Sequence, residues 1–567
     1  MSNNLTLLLL CLFSYALDAQ PDSIPAKVYM ETNNIKALIN ANGLLFYDYE
    51  KGGQFLPDST SRSPIKAAGI WLGGVDPGGN LKLAAQLYNE DGKQDFVPGF
   101  SSNVPGEWNQ IWRTSKVDIL AHLTDYYQDF EIDDTLSSIF GWPAYGNKYF
   151  KEYHGFELPE LPDQLAAFWD EDHSGTYDPD KGEFPLVSNG RCDGAFFFNI
   201  PDEIYWHVFH DNTPHTQTQN SHPIWMDISH TVFSYHCTNN KILDNTVFSN
   251  YLLTNGNLDG IDSCFMGLFL DFELGCPDDY LGVIPEQNIL YAYNSDDDDS
   301  CPDHQGYGVY PPSAAVKLIR GPLSEFRQEM DLFAAVPLYE NPPNPGMGFP
   351  ENAQDFYNYL TGTWKDGTPV TSGGNGYDPQ STNYQSIAYP GHPDDPGSWS
   401  EVSAGSIPGS RKVVTSYGPF KLLPGAVNEI MVGYSFMPNG EFPVTDHLVD
   451  VYAGIDHVMQ IFDNCFGGTP LPCSSDVITD PSPIETSTEP IVFIPNPATS
   501  NVRAKFEKDY IQTFAVYDAL GRLMYQSTVF GSSHYFNVSD WPSGVYYGIA
   551  RAGHETYIEP LVVVGIK

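Results

Sequence analysis

Along most of the chain, apolar side chains recur at every second position in short runs, and those runs end at Gly, Pro, Asn or Asp. "AAGIWLGGVDPGGNLKLAAQLY" (67–88) reads as a strand, an Asp-Pro-Gly-Gly-Asn turn and a returning strand. "IYWHVFH" (204–210), "HTVFSYH" (230–236), "CFMGLFLDF" (264–272) and "VNEIMVGYSF" (427–436) are further aromatic and β-branched runs of strand length. One stretch breaks the pattern. In "VTDHLVDVYAGIDHVMQIFDNCF" (444–466), Leu448, Val451, Tyr452, Ile455, Val458, Met459 and Phe462 fall at three- and four-residue steps. That spacing predicts an amphipathic helix over 445–463, capped by Thr445 or Asp446. No fixed-period repeat points to a propeller or solenoid. The expected fold class is mainly β: a large antiparallel β-sandwich core, as one or two fused units, with one helix near its end.

The pattern stops at "SSDVITDPSPIETSTE" (474–489), which is rich in Pro, Ser and Thr, lacks apolar periodicity and reads as a linker. Strand patterns then resume more densely. "IVFIPNPATSNVRAKF" gives two short strands around a Pro-Asn-Pro corner, and "IQTFAVYDALGRLMYQS" a hairpin turning at Asp518 to Gly521. "YFNVSDWPSGVYYGIARAG" and "TYIEPLVVVGIK" supply the rest. About seven short strands in so few residues predict a small Ig-like sandwich over 490–567.

The series "PNPA", "VYDALGRLMY", "NVSDWPSGVYYGIA" and "PLVVVGIK" resembles the type A C-terminal sorting domain of the type IX secretion system of Bacteroidota. Trp541 stands where that family more often carries an aliphatic residue. The resemblance implies that 490–567 is recognised by the secretion machinery at the outer membrane. The remainder would be cargo, secreted or held at the cell surface. "NNIKALINANGLLFYD", residues 67–88 and "GTWKDGTPVTSGGNGY" are similar to other long β-rich cargo proteins, a likeness that implies architecture and no reaction.

Export agrees with the other end of the chain. The apolar run Leu5 to Leu17 is too short to span a bilayer and is followed by Ala19, the shape of a signal peptide over 1–19. No other stretch reads as a transmembrane segment. The expected organisation is thus signal peptide 1–19, β-rich core 20–473, linker 474–489 and sorting domain 490–567.

Charge narrows the partners. There are 72 Asp and Glu against 27 Lys and Arg, a formal net charge of −45. Six basic and six acidic residues balance from Pro490 onward, so the whole excess lies upstream. Such a surface repels nucleic acid and anionic lipid. Disorder is excluded by 34 Phe, 35 Tyr and 10 Trp, which supply ample surface to bury. In an exported chain disulfides are permitted. Cys465–Cys473, Cys276–Cys301 and Cys237–Cys264 are the expected pairs, with Cys192 left over, although connectivity does not follow from sequence alone.

"DEDHSGTYDPDKGE" (170–183) collects more like charge than a turn needs. Asp170, Asp172 and Ser174 stand at positions 1, 3 and 5 of an EF-hand-type loop, with Gly175 at 6, Thr176 at 7 and Asp178 at 9. Position 12 is Lys181, so Glu183, two residues later, is the expected bidentate ligand. Alternate side chains then face one interior, and a hard cation with oxygen ligands, calcium, is the expected occupant. A second, weaker candidate is Asp271, Glu273, Asp278 and Asp279, with Asp296 to Asp299 nearby if Cys276 and Cys301 are bridged. Histidines 207, 210, 215, 222, 230 and 236 crowd one region, and His207-x-x-His210 has the spacing of a zinc pair. Packed, hydrogen-bonded neighbours in aromatic strands are the commoner reading of such histidines. No nucleophile elbow, P-loop or dinucleotide fingerprint is present, and no catalytic residue is nominated. Two functions follow: a calcium-stabilised adhesion, matrix or glycan-binding protein, or a secreted hydrolase of polysaccharide or peptide.

Overall fold

The computed structural model describes residues 24–463 apart from 58–60, 89–92, 103–105, 189–198, 220, 239 and 303–304; Cys473; and 491–563 apart from 496–497, 499, 507–511, 519–522, 530–532, 540, 543 and 553–554. The signal peptide, the linker, Cys192 and Cys465 lie outside the described residues. The chain divides into two compact units, Met1–Ser475 and Asp476–Lys567.

The first unit is one antiparallel sandwich. Its nine-stranded sheet runs Asp279–Ile284, Ile289–Asn294, Ser313–Arg320, Val427–Met437, Thr246–Asn255, Met226–Ser234 and Glu203–His210; Val97–Pro98 and Trp112–Ser115 both pair with the last. Its five-stranded sheet runs Leu332–Leu338, Arg411–Leu422, Ile261–Phe272, Ile65–Val75 and Leu81–Ala85. The expected 67–88 hairpin is present, with Trp71 opposite Ala85, and the Asp76 carboxylate closes its turn by accepting the amides of Gly78 and Asn80, both at 2.9 Å.

Alternation sends Phe209, Ile228, Leu253 and Val432 of the large sheet inward against Ile70, Met266, Leu268 and Leu270 of the small one. The outward faces are covered as well. Trp71, Phe269 and Val414 lie under Phe356, Tyr359, Leu360 and Trp364. Phe233, Phe248 and Met431 lie under Leu448, Ile455 and Phe462. This double coverage buries both faces of the central strands; all nine residues of Met226–Ser234 are buried, the polar Asp227, Ser229, His230, Thr231 and Ser234 included.

The predicted helix is Val444–Asp463, and Leu448, Ile455 and Phe462 are its buried face. It starts earlier than its expected caps: the His447 amide already bonds the Pro443 carbonyl, which places Thr445 and Asp446 inside the first turn. A second long helix, Lys116–Asp129, carries too many polar residues to announce itself. Ser115 caps it by accepting the Asp118 amide, and Ile119 and Leu123 are its buried contacts.

Two cysteine pairings differ from expectation. Cys276–Cys301 forms, but Cys473 bonds Cys237, not Cys465, and Cys264 is a free buried thiol. Strand pairing decides this. Cys264 faces the inter-sheet core from Ile261–Phe272, whereas Cys237 follows the end of Met226–Ser234, where it meets Cys473. In the second unit, seven strands between Val492 and Val563 form sheets of three and four strands around Val502, Phe514, Phe536 and Leu561.

Candidate metal centre

The loop 170–183 is the tip of a hairpin. Phe168 pairs with Pro185 and Trp169 with Phe184, so the chain enters and leaves side by side and Asp170 lies across the mouth from Glu183. Buried Phe168 and Phe184 hold the base, and buried Tyr177 anchors the middle by donating to the Ile139 carbonyl at 3.0 Å. Gly182 is in the left-handed region (φ 75°), and a Cβ there would meet the Tyr126 ring at 2.4 Å. The helix Lys116–Asp129 thus presses on the loop's exit; its His122 Nε2 lies 3.1 Å from the Glu183 carbonyl oxygen.

Carboxylate oxygens of Asp170, Asp172 and Glu183 all lie within 4.8 Å of one another. The Ser174 amide donates to Asp170 (3.0 Å) and Asp172 (3.1 Å), and the Gly175 amide to Asp170 (2.8 Å). These bonds fold the loop over its acids, as the EF-type spacing requires. Glu183 is fully buried. Its Oε2 accepts the Asp178 amide at 2.7 Å, while Oε1 is buried with no hydrogen-bond partner. Burial, opposed by the Asp178 and Glu171 amides and reinforced by Asp170 and Asp172, raises the Glu183 pKa to about 7.

The remaining predicted ligands stand apart from this trio. The Ser174 hydroxyl donates to the Thr176 carbonyl at 3.0 Å, and both residues are exposed. Asp178 is drawn to Lys148 at 3.0 Å, and Lys148 also reaches Asp180 at 2.7 Å. Lys181, at position 12, bonds Asp172 at 2.5 Å and lowers its pKa. Sequence reading missed Lys148, His122 and Tyr177. Only Tyr177 left a signal, as a lone large aromatic among acids.

The second candidate is not assembled. Asp271 is fully buried, accepts the Tyr88 hydroxyl and lies 3.5 Å from Lys412, while Glu273 pairs with Lys66 at 3.2 Å. Asp278 accepts the Asn294 side-chain amide at 2.7 Å, and Asp279 accepts the Leu274 amide at 3.0 Å. Among the described residues, only Asp170, Asp172 and Glu183 form a group of three or more such ligands. The histidine pair separates too. Three residues apart on a strand, His207 and His210 point to opposite faces. His207 Nε2 instead meets His230 Nδ1 at 3.2 Å in the inter-sheet core, where burial lowers both pKa values, that of His207 to about 3.

Residues 492–564 match the family model described as a secretion system C-terminal sorting domain. No curated protein matches the chain. Among solved structures, a polysaccharide lyase aligns with 60% of this chain and 34% of its own length, at 8% identity and a TM-score of 0.18; that likeness carries no argument about fold or activity. The chain spans about a third of that structure. Among the described residues, no helix is long and apolar enough to cross a membrane. The C-terminal match marks the chain as type IX secretion cargo, exported and either secreted or displayed at the cell surface.

Proposed function

We propose that this type IX cargo is a non-enzymatic, calcium-stabilised binding protein whose rigid sandwich contacts extracellular glycan or matrix. One observation carries the calcium: the buried Glu183 carboxylate, with Oε1 unpartnered, converges with Asp170 and Asp172. An unpaired buried anion is costly, and a divalent cation removes that cost. Asp170, Asp172 and Glu183 would hold the ion, with the Ser174 hydroxyl and Thr176 carbonyl at the rim. Extracellular calcium sites of this kind bind at about 10⁻⁴–10⁻³ M, which suits a protein working outside the cell.

A groove of about 640 Å³ supports the glycan reading. Tyr339, Tyr389, Asn341, Asn375 and Glu340 line it, with the Tyr339 and Tyr389 hydroxyls 3.1 Å apart beside the hydrogen-bonding groups of Asn341, Asn375 and Glu340. The hydrolase reading asks for two convergent carboxylates, and Glu340 is the one carboxylate among the lining residues. Thermal melting of the secreted chain in calcium and in EDTA tests the proposal. Calcium is expected to raise the melting temperature by several degrees, and the rise is expected to vanish in Glu183→Gln. Identical melting of wild type in both buffers would refute it.

A further inference from the structure

A second concavity lies on the outer face of the large sheet, and its chemistry is lopsided. Strand register builds it. Trp206 lies opposite Thr231, which lies opposite Asn250, and in the adjacent row Ser229 lies opposite Leu252, which lies opposite Glu429. Elsewhere this face carries Phe233, Phe248 and Met431. Here it turns polar, and Leu165, Ala167, Val187 and Ser188 wall a cavity of about 370 Å³ over it, with Asp163 exposed at the mouth.

Glu429 is 9% exposed and has no cationic partner among the described residues. Its Oε1 accepts from the Ser188 hydroxyl and, at 2.9 Å, from the Asn250 side-chain amide. That bond uses the amide's donor end. The other end, Asn250 Oδ1, is buried with no partner, on a residue 4% exposed. The Ser229 hydroxyl already accepts the Trp206 indole N–H at 2.7 Å. Among the described residues, no Lys, Arg or His lines the cavity, while Glu429 and Asp163 both do. The described lining has negative charge in excess, its Ser188 and Asn250 donors are already used on Glu429, and Asn250 Oδ1 is an acceptor without a donor.

We infer that this cavity binds an alkylammonium or guanidinium group, whose N–H donors satisfy Glu429 and Asn250 Oδ1 while its carbon stem packs on Leu165, Ala167 and Leu252. A charged donor on a half-desolvated carboxylate is a strong hydrogen bond. The net charge of −45 draws cations toward the surface before they reach the mouth. The same chemistry is offered by a free amine and by a Lys or Arg side chain of a peptide.

Calorimetric titration of the secreted chain with agmatine, with a trilysine peptide and with glucose tests this. Saturable binding of agmatine, weakened about tenfold by Glu429→Gln and by added salt, is expected. Agmatine binding alone assigns a free amine; trilysine binding at least as tightly assigns a peptide side chain. Binding of glucose without either cation, or no saturable binding of any probe at 10 mM (about −2.7 kcal/mol), would overturn the inference. Should Glu429→Gln fail to fold, a crystal soaked in agmatine decides: density against Glu429 supports the site and its absence there refutes it. Calcium in the 170–183 loop is not involved, so the two proposals fail separately.

Discussion

Two stretches of this chain are strongly acidic and behave differently. Around 271–299, several carboxylates have local partners of their own: Lys412 and Tyr88 for Asp271, Lys66 for Glu273, the Leu274 amide for Asp279, and the amides of Cys276 and Tyr307 for Asp299. Asp271 Oδ1 and Asp279 Oδ1 are themselves buried without a hydrogen bond. The disulfide Cys276–Cys301 does join the two segments there, yet it gathers no shared interior. In 170–183 the hairpin brings three carboxylates to one point and buries one of them without a cation of its own. Density of charge is common to both. Convergence of three carboxylates belongs, among the described residues, to the loop alone, and there Lys181 pairs with Asp172.

Removing a protein cation sharpens that contrast most. In Arg411→Ala, Glu401, fully buried and bonded to Arg411 at 2.9 Å, loses its counter-charge. Denaturant unfolding should show a loss of about 3–5 kcal/mol. The calcium-induced rise in melting temperature should persist; its disappearance would mean that calcium binding depends on the Glu401–Arg411 pair. Next in size, Asp172→Asn should abolish most of the calcium stabilisation, about 1.5 kcal/mol at tenfold excess over the dissociation constant. Asp271→Asn should leave that stabilisation intact. A calcium response lost in Asp271→Asn and kept in Asp172→Asn would reverse the assignment.

Acidity gives a third, smaller contrast. Glu183 has its pKa raised in the folded state, to about 7, so the folded chain holds that proton more tightly than the unfolded one. Without calcium, its contribution to stability is therefore lost as pH rises from the ordinary carboxylate range through 7. Calcium takes the ionised form, so the melting difference between calcium and EDTA should grow from pH 5 to pH 8. Asp227 and Asp271, raised to about 6 by burial, and the lowered His207 and His230 act equally in both buffers and cancel from that difference. A difference that shrinks with pH would contradict the role of Glu183. The smallest effect is expected from Lys181→Gln. With the ammonium 2.5 Å from Asp172 gone, calcium affinity should rise about twofold to fivefold, read by titration with a fluorescent calcium competitor. Unchanged or weaker affinity would show that Lys181 does not compete.

The architecture was legible because period-two runs mark strands wherever they are buried, and the helix Val444–Asp463 kept one apolar stripe. The helix Lys116–Asp129 was not, since Asp118, Thr124, Asp125 and Asp129 interrupt its buried residues. For the loop, Asp170 and Asp172 followed from spacing, and Glu183 from its place after a lysine at position 12. The long-range partners did not follow. Lys148 lies 30 residues from Asp178 in the chain, and Cys237 lies 236 from Cys473. The polar patch of Thr231, Asn250 and Glu429 was hidden for a related reason: each residue looks incidental in its own strand, and only register sets the Thr231–Asn250 row beside the Leu252–Glu429 row.

The central claim is that Glu183 completes a single calcium site. Calorimetric titration of EDTA-stripped wild type and Glu183→Gln with calcium tests it most directly. One ion per chain at about 10⁻⁴–10⁻³ M for wild type, and none for the variant, is the predicted result. Equal uptake by both proteins, or none by wild type, would contradict it.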